Sequence, residues 1–213
     1  MAAPSRIVHQ MDALQFLREH TLPDDHAVFT SLPDSTEVRS LSFDAWRQWF
    51  VDAVELVVRS TPPRMAAIFY QTDVKRDGAW IDKAYLVQRG AEAAGARLLW
   101  HKIVCRAKAG QATFGRPGYA HLLCFSHELR DAVEHSTADV LPELGAMTWP
   151  RAIGLCAAEA GVRWLRDHAA AKTVVDPFCG IGTVLAIANR LGLHAIGVER
   201  NPGRADKARE LAL

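Results

Sequence analysis

The sequence predicts an α/β fold around a mostly parallel sheet, and three observations carry that reading. Short β-branched apolar runs alternate with stretches of helical periodicity. A glycine-containing turn, Asp176-Pro-Phe-Cys-Gly-Ile-Gly-Thr183, follows one apolar run and opens a helix. No Pro/Gly/Ser-rich linker divides the 213 residues, a length that suits one domain with a full core.

In order along the chain, RIVHQ (6–10) is a short β-branched strand and a helix follows at 12–20. HAVFTS (26–31) is a buried strand that ends at Leu32-Pro33. Ser42 caps a helix over about 43–59, with Trp46, Phe50, Val54 and Val57 on its apolar face and Pro62 closing it. RMAAIFYQ (64–71) is a strand, and 81–95 is a helix with a glycine stop. Two more strands, 96–106 and 119–126, are separated by a glycine-containing loop. After a looser stretch to about 149 come a helix (150–167), a strand (172–178), a helix (182–191), a strand (194–199) and a helix (203–212). The expectation is seven strands and at least six helices in a single domain, 1–213.

Composition narrows the function classes. Lys and Arg total 25 against 24 Asp and Glu, so any contact with a polyanion must come from a local patch. Cys105, Cys124, Cys156 and Cys179 form no CxxC pair and no zinc-type spacing; no metal site is expected, and the thiols read as reduced and mostly buried, in a cytoplasmic setting. No apolar run approaches the length of a membrane span, and the first thirty residues lack a secretory apolar core.

The segment from 173 to 202 carries the most chemistry. Gly180 and Gly182 let the backbone turn tightly and leave space for a ligand at a helix N-terminus. Glu199 falls at the tip of the next strand, where a carboxylate can accept both hydroxyls of a ribose. A nicotinamide fingerprint needs a third glycine where Leu185 stands, and Asp-Pro-Phe is foreign to it. A structural turn without a ligand is the other alternative.

The eight residues 176–183 resemble motif I of S-adenosylmethionine (SAM)-dependent amino-methyltransferases, D-P-F-x-G-x-G-T. Their late position, after Ser31-Leu-Pro-Asp34, resembles the circularly permuted β class of DNA adenine-N6 and cytosine-N4 methyltransferases along nearly the whole chain. The resemblance implies a Rossmann-like class I methyltransferase fold with permuted motif order: 1–149 the catalytic and substrate half, 150–213 the SAM-binding half. It implies SAM contacts from Asp176, Pro177, Phe178, Cys179, Gly180, Gly182 and Thr183 around the methionine part, Glu199 and the adjoining Arg200 at the ribose, and Asp12 near the adenine. Asp12 also reads as a plain helix N-cap. Thr148 and Trp149 are candidates for the methionine carboxylate site, Trp149 reading better as a packing residue. Dimers are common in the resembled class, which makes a homodimer one expectation.

Ser31, Leu32, Pro33 and Asp34 stand where that class has its S/D/N-P-P-Y motif. An exocyclic base amine is a poor nucleophile because its lone pair is delocalised into the ring. Two acceptors, a side-chain oxygen and the next carbonyl, hold its hydrogens and localise the pair. Ser31 Oγ and the Leu32 carbonyl can fill both roles, and Pro33 keeps the turn rigid. The stacking aromatic is replaced by Asp34, for which a substrate contact, a general base and a cap in the box Asp34–Glu37 are open readings. Phe43, Trp46 or Tyr70 can supply the missing stack, although spacing places Trp46 in the core.

Only about a dozen residues separate the strands at 96–106 and 119–126, too few for an inserted DNA-reading module, so RNA is expected in preference to DNA. Between Ala93 and His127 there is no acid, while Arg97, Lys102, Arg106, Lys108 and Arg116 occur; with Lys75 and Arg76 they suggest a phosphate-binding surface. Lys75, Arg76, Lys108 and Arg116 are the substrate-binding candidates, with solvated surface charge as the plain reading. Methylation of a small molecule or protein, or a catalytically silent SAM-binding subunit, are the alternatives.

Overall fold

A computed structural model describes residues 3–213. Strand β1 (Arg6–His9) leads into α1 (Ala13–Glu19), whose N-cap Asp12 accepts from the Leu14 and Gln15 N–H groups. Strand β2 (His26–Thr30) is followed by a turn region and α2 (Phe43–Ser60), capped by Ser42. Then come β3 (Ala67–Gln71), a hairpin of β4 (Val74–Arg76) and β5 (Ala79–Ile81), and α3 (Lys83–Ala93) capped by Asp82. Strands β6 (Arg97–Cys105), β7 (Tyr119–Ser126) and the two-residue β8 (Val140–Leu141) precede α4 (Leu155–Asp167). The chain continues through β9 (Thr173–Asp176), α5 (Thr183–Arg190), β10 (His194–Val198) and α6 (Pro202–Glu210).

The main sheet has the order β1-β10-β9-β2-β3-β7-β6-β8. Neighbours from β1 to β3 are parallel, β7 runs antiparallel to both β3 and β6, and β8 adds a parallel stub to β6. The seven expected strands are therefore present, with the permuted order restored in space: late β9 and β10 lie between early β1 and β2. The connections leave β9 and β2 in opposite directions, so the crevice beyond their carboxyl ends is the switch point where parallel α/β sheets bind ligands.

Apolar layers cover both faces. On one, α4 and α5 bring Val162, Leu165, Leu185 and Ile187 onto Phe29 and Ile68. On the other, α2 and α3 bring Trp46, Phe50, Val54 and Val87 onto Val28 and Phe69. No helix among the described residues is long and apolar enough to cross a membrane.

Three local readings change. The helix expected from 150 starts at Leu155, because Trp149 to Ala152 form a turn and Gly154 is the N-cap. The β4–β5 hairpin is additional to the expected elements, although its turn, Asp77-Gly78 with φ of 50° and 75°, is a strong two-residue hairpin signal. All four cysteines are free, but Cys156 is exposed and Cys105 half-buried, so only Cys124 and Cys179 fit the buried expectation.

Candidate functional site

A cavity of about 610 Å³ opens at the carboxyl ends of β2, β9 and β10. Its volume falls in the range of about 300–1,000 Å³ usual for small-molecule sites. Of the residues expected to hold a cofactor, Asp12, Asp176, Pro177, Phe178, Cys179, Gly180, Thr183, Glu199 and Arg200 line it, and Gly182 does not. Ser31, Leu32 and Pro33 line it as well, so the motif at 31–33 and the turn at 176–183 share one chamber.

The glycine turn is fixed by its own backbone. Gly182 has φ +86°, the left-handed region open to glycine, and a Cβ there would sit 2.9 Å from the Ala208 Cα. Its role is to let the loop pass α6. Gly180, at φ +55°, faces Trp149, whose ring a Cβ would meet at 3.3 Å. Trp149 thus lines the cavity beside the glycine turn, with the Arg204 guanidinium 5.0 Å from its ring centroid. Thr148 acts one step back, its hydroxyl 2.6 Å from that of Thr183.

Asp176 is the electrostatic centre of the turn. Its Oδ1 accepts from the Thr30 hydroxyl at 2.7 Å and from the Phe178 N–H at 3.1 Å. Burial pushes its carboxyl up to about 7, against the opposing effect of those two donors and with a smaller push from Glu199. The Cys179 thiol is raised strongly, mainly by burial and then by Asp176. Glu199 uses Oε1 to accept the Asn201 N–H at 2.7 Å. Asp12 caps α1 and also lines the cavity.

In the turn after β2, neither Ser31 Oγ nor the Leu32 carbonyl receives a hydrogen bond from another described residue, whereas the Pro33 carbonyl accepts from the Trp46 indole at 3.2 Å. Asp34 does not line the cavity. Its carboxylate takes the ammonium of Lys83, which is buried at the start of α3. Only half of the expected capping box forms: the Glu37 carboxylate accepts the Asp34 N–H at 3.1 Å, over a turn and not a helix.

The missing stack finds no simple substitute among the residues first considered. Trp46 and Tyr70 are buried in the core, and Phe43 stacks on Trp46 beneath the Arg76 guanidinium. The aromatic residues of the cavity are Trp49, Trp149 and Phe178, with Trp49 and Phe178 edge-on at 6.3 Å. Sequence reasoning missed Trp49, and also the ion pair of Arg151 with Glu37 at 2.8 Å, both of them cavity residues.

Lys75, Arg76, Lys108 and Arg116 lie outside the cavity, on the β4–β5 hairpin and the β6–β7 loop, and are all exposed. Lys102 does not join them, being buried with its ammonium on the Thr137 carbonyl. Between hairpin and cavity runs a polar chain. Lys83 donates its N–H to Asp73 Oδ1 at 2.8 Å, and Asp73 Oδ2 accepts from Trp80 Nε1 and from His121 Nε2, each at 3.0 Å. Burial pushes the Asp73 carboxyl up, but hydrogen bonds from His121, Trp80 and Lys83 outweigh it and leave the group below its ordinary value.

Comparison with known proteins agrees with this geometry. A DNA methylase family of the N6/N4 type matches residues 168–210, which hold β9, the glycine turn and Glu199. A protein described as an uncharacterized RNA methyltransferase, from Parasynechococcus marenigrum (strain WH8102), is 41% identical over 51 residues, 24% of this chain and 11% of that protein. Among solved structures, a Thermus thermophilus protein described as a putative DNA modification methylase, in complex with S-adenosyl-L-methionine, superposes with a TM-score of 0.74 at 22% identity over 97% of this chain and 93% of that one. The cytosine-N4-specific PvuII DNA methyltransferase gives 0.74 at 16% identity over 98% of this chain and 89% of that one. The chain has the Rossmann-like methyltransferase fold in permuted order, and its residues 168–210 are similar to the N6/N4 DNA methylase family.

Proposed function

We propose that this chain is a SAM-dependent methyltransferase that modifies an amino nitrogen of a nucleic-acid base. The observation that carries this reading is the meeting of two things in one cavity: two acceptors without partners among the described residues, Ser31 Oγ and the Leu32 carbonyl, and the wall formed by 176–180, Thr183 and Glu199. The residues suit the cofactor. Gly180 keeps the wall beside Trp149 open where a Cβ would narrow it, Asp176 adds a polar carboxyl group to the lining, and Glu199 retains an oxygen for a ribose hydroxyl. Bound SAM supplies an electrophilic methyl group on a sulfonium.

The chain's own work is positioning and polarisation. Ser31 Oγ and the Leu32 carbonyl accept the hydrogens of the target amine and make its lone pair available. Trp46 fixes the Pro33 carbonyl, so the turn does not swing when the base enters. Trp49 and Phe178 replace the stacking aromatic that the turn lacks, flanking the base from the cavity wall.

RNA is the first substrate to test and DNA the second. The 106–118 loop is short, and the segment similar to an RNA methyltransferase supports RNA. The similarity in fold to DNA methylases supports DNA. A second reading, a silent SAM-binding subunit, is favoured by Asp34, whose carboxylate is occupied by Lys83.

The test is tritiated SAM with total RNA and DNA from cells lacking the gene, wild type beside Ser31→Ala. Label entering one nucleic-acid species and lost in Ser31→Ala supports the proposal. SAM binding with no label in either nucleic acid sinks the substrate assignment and leaves a small-molecule or protein substrate or the silent subunit.

A further inference from the structure

The β4–β5 hairpin and the β6–β7 loop meet beside the turn after β2, in a surface the reaction at the cavity does not use. Trp80 is 45% exposed, yet its indole edge is anchored on the buried carboxylate of Asp73. Its ring stacks with Tyr119, centroids 6.4 Å apart and planes at 22°, and Lys75 on the paired strand sets its ammonium 4.9 Å from the ring centroid. Tyr119 pairs with Cys105, so the 106–118 loop springs from the foot of this stack. On that loop Phe114 stands 96% exposed between Lys108 and Arg116.

The charge here is one-sided. Of the nearby acids, Asp77 faces Arg76, Asp82 caps α3, and Asp73 is buried under three donors. Lys75, Lys108 and Arg116 remain at the surface without an acidic partner among the described residues. The platform is also tied to the site. Lys83 links Asp73 to Asp34, and the Arg76 guanidinium lies 4.4 Å from the centre of Phe43, which stacks on the Trp46 that holds Pro33.

The geometry points to a docking platform for an unpaired nucleic-acid strand, whose bases stack on Trp80 and Phe114 while Lys75, Lys108 and Arg116 take its phosphates. Exposed rings interleaved with cations suit unstacked bases, which a regular duplex does not offer. An acidic peptide would use the cations and leave the rings idle. The inference rests on the nucleic-acid reading of the substrate and adds a mode of recognition: nucleotides flanking the target are gripped outside the cavity.

Fluorescence anisotropy tests it, with labelled single strands of about 15 nucleotides as RNA and as DNA, and with their duplexes. The single strand is expected to bind tighter than the duplex. Phe114→Ala and Trp80→Ala should each weaken it about fivefold or more, one base stack's worth, and Trp80→Phe should keep most of the binding. Phe114 is fully exposed, so its truncation leaves the fold intact even if Trp80→Ala disturbs the hairpin. Unchanged affinity in Phe114→Ala and Trp80→Ala, or tighter duplex binding, overturns the proposal. The RNA and DNA arms identify the source of the strand. Calorimetry of the same proteins with SAM keeps the two readings apart: wild type that binds the strand and not SAM refutes the methyltransferase reading alone.

Discussion

The ammonium of Lys83 is bound to the carboxylate of Asp34, joining the first turn of α3 to the last residue of the turn after β2. The partners differ in solvent access: the Lys83 side chain is 4% exposed and that of Asp34 22%. Removing the acid should therefore hurt more than removing the base. Asp34→Ala strands a buried ammonium and is expected to cost about 3–5 kcal/mol. Lys83→Met leaves a carboxylate that water reaches and should cost about 1–2 kcal/mol. Urea unfolding of the two variants gives the order directly, and a reversed order would show that the Lys83 ammonium escapes to solvent.

Asp176 makes stability depend on pH. Its carboxyl is raised from 3.8 to about 7 in the folded protein, so between those values the native state holds a proton that the unfolded chain has released. Its contribution is present below about pH 4 and is lost as pH rises through about 7. Asp176→Asn should abolish that decline. Urea midpoints for wild type and variant should converge towards low pH and separate, with the wild type falling, between about pH 4 and 7. Parallel curves would mean that the group ionises as freely as in the unfolded chain.

The proposed ribose contact of Glu199 is testable by separating the two ends of the cofactor. Glu199→Ala should weaken binding of SAM and of adenosine by about 10- to 100-fold, the worth of hydrogen bonds to a charged acceptor. Methionine binding should not change. Equal losses for all three in calorimetry would point to a collapsed cavity and not to a missing ribose contact.

Gly182 and Gly180 should fail differently when changed to Ala. At Gly182 the new methyl meets the backbone of Ala208 at 2.9 Å in a left-handed conformation, so a cost of about 2–4 kcal/mol is expected. At Gly180 the neighbour is the edge of the Trp149 ring at 3.3 Å, which can yield. There the cost should be about 1–2 kcal/mol, with the larger effect on SAM affinity. Thermal melts and calorimetry together separate the two.

Much of this architecture was legible in the sequence because its signals are local. Strand runs such as HAVFT and TVVD are buried on both faces and read as such, and the order of 31–34 and 176–183 is visible without any contact. What escaped depends on distance. Lys83 lies 49 residues from Asp34, and nothing in ordinary burial preferences marks a lysine for the interior. Trp46 is placed in the core by its spacing, whereas only the packing of α2 beside Phe178 makes Trp49, on the same helix, a cavity wall. The hairpin was missed for another reason: strands of three residues give too short an alternation to notice, and only Asp77-Gly78 betrays it.

The Thr30–Asp176 hydrogen bond spans 146 residues of chain and closes the middle of the sheet. During synthesis β2 emerges long before β9, the neighbour that must cover its inner edge, and β1 waits longer still for β10. Until β9 and β10 leave the ribosome, the HAVFT strand offers an open apolar edge to any other chain. A strand order that pairs β2 with a neighbour 146 residues later thus makes a stalled or truncated translation product sticky. On the proposed function, methyl transfer would draw on both motifs and so would report completed folding.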